Sequence, residues 1–248
     1  MKLTVVDTGS NGNCYILTEG EHRLILDCGV KWKEALNAVN FNISGLDGCL
    51  FTHWHKDHMR NLDSLHLASI PTYGCYELSE FVGIVYGESV HVLPQKLMTK
   101  INGGWSVVPW YVPHTDAENM VVPCYAYFII SPMGHRMVYM TDFLYSPMTF
   151  KSLKVHTILI ACNHDDEIEK YQNSAKYRHI VSGHSSLSVT NEIIRINQTD
   201  ALRNVILCHL SAENATPEIM KEIVQKTVGD RVKLNIAHKG MEIDLEGK

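Results

Sequence analysis

A short histidine-rich segment constrains this chain more than any other part of it. Behind the apolar run Gly48-Cys49-Leu50-Phe51 stands Thr52-His53-Trp54-His55-Lys56-Asp57-His58. Imidazole and carboxylate are the ligands preferred by borderline-hard divalent ions such as Zn²⁺, Mn²⁺ or Fe²⁺. Residues two apart on extended backbone project to the same side, so His53 and His55 can share one ion. Lys56 to Ala68 has helical periodicity, which turns Asp57 and His58 toward a second position and suits two cations about 3.5–4 Å apart. A solvated, histidine-rich turn would not be expected directly behind a buried strand.

The remaining sequence supplies a sheet-based scaffold. Leu3 to Val6, Cys14 to Thr18 and Arg23 to Asp27 are short β-type runs separated by Gly/Asn turns, which predicts an antiparallel meander. Strands are also expected at 48–51, 106–112, 125–130, 137–140, 157–161, 179–181, 205–207 and 232–236. Helices are expected at 31–39, 56–68, 75–82, 188–200 and 215–228, the last opening on Thr216-Pro217-Glu218, where proline suits a first helical turn. Many strands with interspersed helices indicate an α/β core. No linker or like-charge block divides the 248 residues, so a single domain over 1–248 is expected.

The first residues lack the basic start and apolar run of a signal peptide, and no stretch approaches the ~20 apolar residues that span a bilayer. Seven cysteines form no CxxC pair and sit mostly in apolar runs. Buried free thiols in a reducing, cytoplasmic compartment are therefore expected, with no membrane association. The net charge of −5 weighs against a large basic surface, although bound cations would add positive charge locally.

The signature HxHxDH at residues 53 to 58 resembles that of the metallo-β-lactamase superfamily, and the resemblance runs along nearly the whole chain. It implies a four-layer αββα sandwich. Leu24-Ile25-Leu26-Asp27-Cys28-Gly29 resembles the strand whose aspartate buttresses the histidine loop. His114 follows Trp110-Tyr111-Val112-Pro113 and resembles the third ligand of the first metal. Tyr139-Met140-Thr141-Asp142 resembles the strand whose carboxylate bridges both metals. Taken alone, His114 would read as a structural histidine and Asp142 as a turn former; their order relative to 53–58 gives them their roles. The segments 181–185 and 207–214 resemble ribonuclease J and ribonuclease Z relatives. Gly9-Ser10-Asn11-Gly12-Asn13-Cys14, Asn163-His164-Asp165 and the run from His209 to Glu218 resemble the YycJ-type branch, which is similar to 5′→3′ exonucleases.

By this resemblance His209 closes the second metal and His184 contacts the scissile phosphate, although both stand at strand ends and the opposite assignment stays open. His164 is either an outer-shell contact of the second metal or a strand-end turn. His22, His66, His91, His135, His156, His179 and His238 have no constellation around them. Trp54 reads as a packed or rim aromatic rather than a base-stacking platform.

Only about 40 residues separate Asp142 from His184, too few for the extra domain that ribonuclease J-like enzymes carry there. No basic, Gly-rich arm suggests a transfer-RNA substrate. His55 stands where oxygen-reducing relatives carry Glu, and no flavin domain follows, so no organic cofactor is expected. The resemblance thus implies a hydrolase with two divalent metals, Zn or Mn with Fe possible in their place, acting on DNA or RNA through a metal-bridging hydroxide. Asp57, Asp142 and His184 would be its catalytic side chains. The alternatives are a small-molecule hydrolase of a thioester, lactone or cyclic phosphodiester, and a binding module that holds metal without turnover.

Overall fold

The structure is a computed structural model and describes residues 1–166 and 183–246. It divides into two compact units, the first comprising 1–110, 127–135 and 238–248, the second 111–126 and 136–237.

In the first unit, β1 (Lys2–Asp7), β2 (Cys14–Glu19) and β3 (His22–Cys28) form the expected antiparallel meander, with Ile16 opposite Ile25. The chain then crosses through α1 (Trp32–Ala38) and the pairing becomes parallel, because a parallel neighbour needs a crossover. β4 (Leu46–Leu50), β5 (Thr72–Gly74) and β6 (His91–Val92) follow in parallel, while β14 (Glu242–Asp244) closes the other edge on β1. The order is β14-β1-β2-β3-β4-β5-β6. Leu24, Ile25, Leu26 and Cys28 are all buried, the continuous apolar run of a strand covered on both faces. The buried Tyr127 hydroxyl donates to the carbonyl of Phe51 and anchors the point where the β4 run gives way to the histidine segment.

The helix expected over 56–68 is broken into α2 (Lys56–Met59) and α3 (Leu62–Leu67). The cause is Asn61, which leaves helical geometry at φ −106° and ψ 25°. Its buried amide donates to the carbonyls of Cys28 at 2.9 Å and Val30 at 2.6 Å, tying α3 to the end of β3. Next comes α4 (Tyr76–Tyr86), longer than expected and capped by Gly87 in the left-handed region at φ 67°. β7 (Thr99–Lys100) pairs antiparallel with β8 (Ser106–Val112), and β9 (Cys124–Ile130) follows.

The second unit holds the parallel strands β10 (Arg136–Met140), β11 (Thr157–Ala161), β12 (Asn204–Cys208) and β13 (Lys233–Ile236). α5 (Leu187–Asn197) packs against β11, α6 (Pro217–Val228) against β13, and the two helices touch each other. Pro217 opens α6 as expected, and Ser186 caps α5 by accepting from the Val189 amide. The strand expected at 179–181 lies outside the described residues. In a parallel sheet, ligands gather beyond the carboxyl ends of the strands. Asp142 stands just past β10, Asn163 and His164 just past β11, and His209 just past β12.

Candidate metal centre

The first histidine group is positioned by its own unit. Asp27, at the end of β3, is fully buried and accepts from the Thr52 amide at 2.8 Å and from His58 Nδ1 at 2.8 Å. The Thr52 hydroxyl also donates to this carboxylate and lies 3.0 Å from His53 Nδ1, where its oxygen can accept. A histidine whose Nδ1–H is held in this way keeps the lone pair on Nε2, the tautomer that a metal requires. Asp57 stands one residue into α2 with an oxygen 3.3 Å from His58 Nε2, and remains partly open to solvent. The rings of His53 and His55 are 4.6 Å apart, and those of His53 and His58 4.3 Å.

Two positions that the sequence reading did not assign complete this group. Asn13 receives the Gly9 amide on its side-chain oxygen at 2.9 Å and places its own amide nitrogen 3.1 Å from His58 Nε2, while its backbone N–H donates to the Asp57 carbonyl at 2.7 Å. Gly29 lies so close to that carbonyl that a Cβ would collide with it. Both positions fall within segments quoted for the family resemblance, which was the available signal.

The second group belongs to the second unit. Asp142, His184 and His209 offer ligand atoms within 4.8 Å of one another. His184 Nδ1 donates to Asp142 Oδ1 at 2.9 Å, and His209 Nε2 lies 3.5 Å from the same oxygen. Asn163, also unassigned by sequence, donates to the His209 carbonyl at 3.1 Å. His114 is buried and donates from Nδ1 to the Gly183 carbonyl at 2.8 Å, which leaves its Nε2 lone pair available. Val181 and Ser182 of the same motif lie outside the described residues. His164 is buried, bonds the Asp165 carbonyl at 2.7 Å, and has its pKa lowered chiefly by burial, which favours the neutral ring.

Asp27, Asp142 and His209 all have positive φ, at 53°, 45° and 52°. Residues with a Cβ enter this region at a cost, and such strain concentrates at functional positions. Of the histidines without a constellation, His22 faces Asp47, His66 faces Glu88, and His156 accepts from the Arg136 amide, while His179 lies outside the described residues. All seven cysteines are free and buried, and burial pushes the Cys162 thiol up to about 12, so the thiol beside Asn163 stays protonated.

The metallo-β-lactamase fold protein YhfI from Bacillus subtilis superposes with a TM-score of 0.74 at 18% identity, over 98% of each chain. The chain has the metallo-β-lactamase fold. In sequence it is 26% identical to "Exodeoxyribonuclease WalJ" of Streptococcus pneumoniae over 232 residues, 88% of this chain and 84% of that one. It is 24% identical to "Exodeoxyribonuclease YycJ" of Bacillus anthracis over 250 residues, 93% of this chain and 90% of that one. This similarity supports the YycJ-like branch. A family model described as "Anti-Pycsar protein Apyc1" matches residues 4–75. The similarity to these exodeoxyribonucleases along most of the chain, together with the His/Asp clusters, supports a metal-dependent hydrolase. Among the described residues, no helix is long and apolar enough to cross a membrane.

Proposed function

We propose that the chain, as one metallo-β-lactamase-fold domain over 1–248, is a two-metal phosphodiesterase that cleaves nucleic acid, DNA foremost, in a reducing cytoplasmic compartment. The observation that carries this reading is the similarity to two exodeoxyribonucleases along most of the chain. The ligands would be His53, His55, Asp57, His58, His114, Asp142 and His209, more donors than one tetrahedral ion can use. Asp27 would hold His58 in place, and His164 would stand outside the second metal.

Two bound Zn²⁺ or Mn²⁺ ions would supply an activated water and offset charge on the phosphate oxygens. Asp57 and Asp142 would hold the ions and orient the water they supply. His184, held at Nδ1 by Asp142, presents Nε2 to the phosphate and, as the doubly protonated imidazolium, donates a hydrogen bond or a proton there.

The same donor set and fold also serve a second reading, in which the metals act on a small molecule such as a thioester, lactone or cyclic phosphodiester. The test is a substrate panel with Mn²⁺ and with Zn²⁺: 5′- and 3′-labelled single- and double-stranded DNA and RNA, bis-p-nitrophenyl phosphate, a cyclic nucleotide and a thioester. Stepwise shortening of labelled DNA is expected. Turnover of the cyclic nucleotide or thioester with intact polymers would transfer the assignment to the second reading.

A further inference from the structure

The histidine loop carries one large aromatic among its proposed ligands, and the structure gives that residue an unusual neighbour. Trp54 is half-buried and stacks on Phe81 of α4, with ring centroids 5.1 Å apart and planes inclined by 26°. Phe81 meets Tyr86 edge-on at 6.3 Å. α4 buries Leu78 and Val82, yet its last turn leaves Ile84 84%, Val85 55% and Tyr86 47% exposed. Core packing accounts for the inner face of this helix. It does not account for the exposed Tyr86, nor for Trp54 and Phe81, which stay only half-buried beside the loop.

Two cations accompany these aromatics. Lys56 and Arg60 are exposed and four residues apart on helical backbone, so they project to one face. Neither is drawn into an ion pair among the described residues. Of the acidic groups on α4, Glu80 is engaged by the Tyr76 hydroxyl at 2.7 Å. Flat π surfaces beside unneutralised cations match a ligand that alternates aromatic faces with phosphates, the combination that single-stranded nucleic acid presents.

We propose that Trp54, Phe81 and Tyr86 form a ledge on which bases of single-stranded DNA stack, with Lys56 and Arg60 taking adjacent phosphates, so that the strand is fed toward His53, His55, Asp57 and His58. This rests on the nucleic-acid reading and gives it a substrate form. Stacking tolerates any base, because every base has a π face, so the ledge favours unpaired strand without reading sequence.

The test is fluorescence anisotropy with a labelled, phosphorothioate oligothymidylate that resists cleavage, alongside an abasic oligomer of the same length. Wild type is expected to bind the base-bearing oligomer more tightly. Phe81→Ala and Trp54→Ala are expected to weaken that binding roughly 5- to 150-fold per stacked base, to leave abasic binding nearly unchanged, and in Trp54→Phe to recover most of the loss. Because Trp54 lies inside the metal loop, Phe81→Ala on α4 is the decisive variant. Equal binding of both oligomers by wild type, or equal losses on both in Phe81→Ala, would overturn the ledge. So would a change in particle mass in Phe81→Ala with unchanged oligomer affinity, which would make this face a contact between copies. If wild type cleaves DNA without favouring bases, the ledge fails and the nuclease reading stands; base-dependent binding without cleavage has the opposite meaning.

Discussion

His53, His55, Asp57 and His58 come from one loop and the start of one short helix, whereas His114, Asp142, His184 and His209 come from four separate segments of the second unit. The first group is held by side chains, chiefly Asp27, Thr52 and Asn13. The second is held mainly by where parallel strands end and by backbone, as with Gly183 for His114, while Asp142 and His209 sit in left-handed turns. Local encoding makes the first group easy to assemble and sensitive to its buttresses. In the second group, His114, Asp142 and His209 each depend on the register of a different strand.

The largest effect should come from the second group. Asp142→Ala is expected to reduce hydrolysis to background and to lower bound metal, because a carboxylate proposed to be shared by two cations would, once removed, leave them facing each other; wild-type metal content by elemental analysis with normal turnover would disprove the bridge. Next, His184→Ala is expected to keep its metal and lose roughly 10²–10⁴ in rate, the span of a positioned acid–base group. His209→Ala should lose metal, and excess Mn²⁺ should partly restore its activity by mass action. Should the metal be lost from the His184 variant and kept in the His209 variant, the two roles are exchanged.

The first group is tested through its supports. Asp27→Asn is expected to weaken metal binding about 10- to 100-fold, the usual cost of losing a carboxylate behind a ligating histidine; a competitive chelator titration measures it, and unchanged affinity would show that Asp27 serves packing alone. The smallest effect is structural. In Gly29→Ala, the new Cβ would meet the Asp57 carbonyl and stand 2.6 Å from His58 N. Backbone gives way less readily than a side chain, so a loss of about 1–3 kcal/mol in stability is expected from chemical unfolding. A neutral result would mean that the loop moves freely against β3.

The contrast also explains what could be read from the amino-acid sequence. Residues 53 to 58 announced their chemistry because ligands and strand lie in one short run, and the meander was legible from alternating apolar segments. Asp142 and His209 carry no local signal that separates them from ordinary turn residues, so only their order along a familiar pattern marked them. The break at Asn61 escaped helical periodicity because its cause is the carbonyls of Cys28 and Val30, some thirty positions away. β5, β6, β7 and β14 are two or three residues long and exist through their pairing partners, which no window of sequence contains.

Those short strands have a consequence for how the protein behaves in concentrated solution. The sheet of the first unit stops at two residues on one side and three on the other, His91–Val92 and Glu242–Asp244. Lys2 pairs with Glu242 at the second of these edges. So few unpaired N–H and C=O groups, beside charged side chains, give a neighbouring chain almost no template on which to add a strand. A sheet built around long apolar strands is thereby kept from growing edge to edge into fibres.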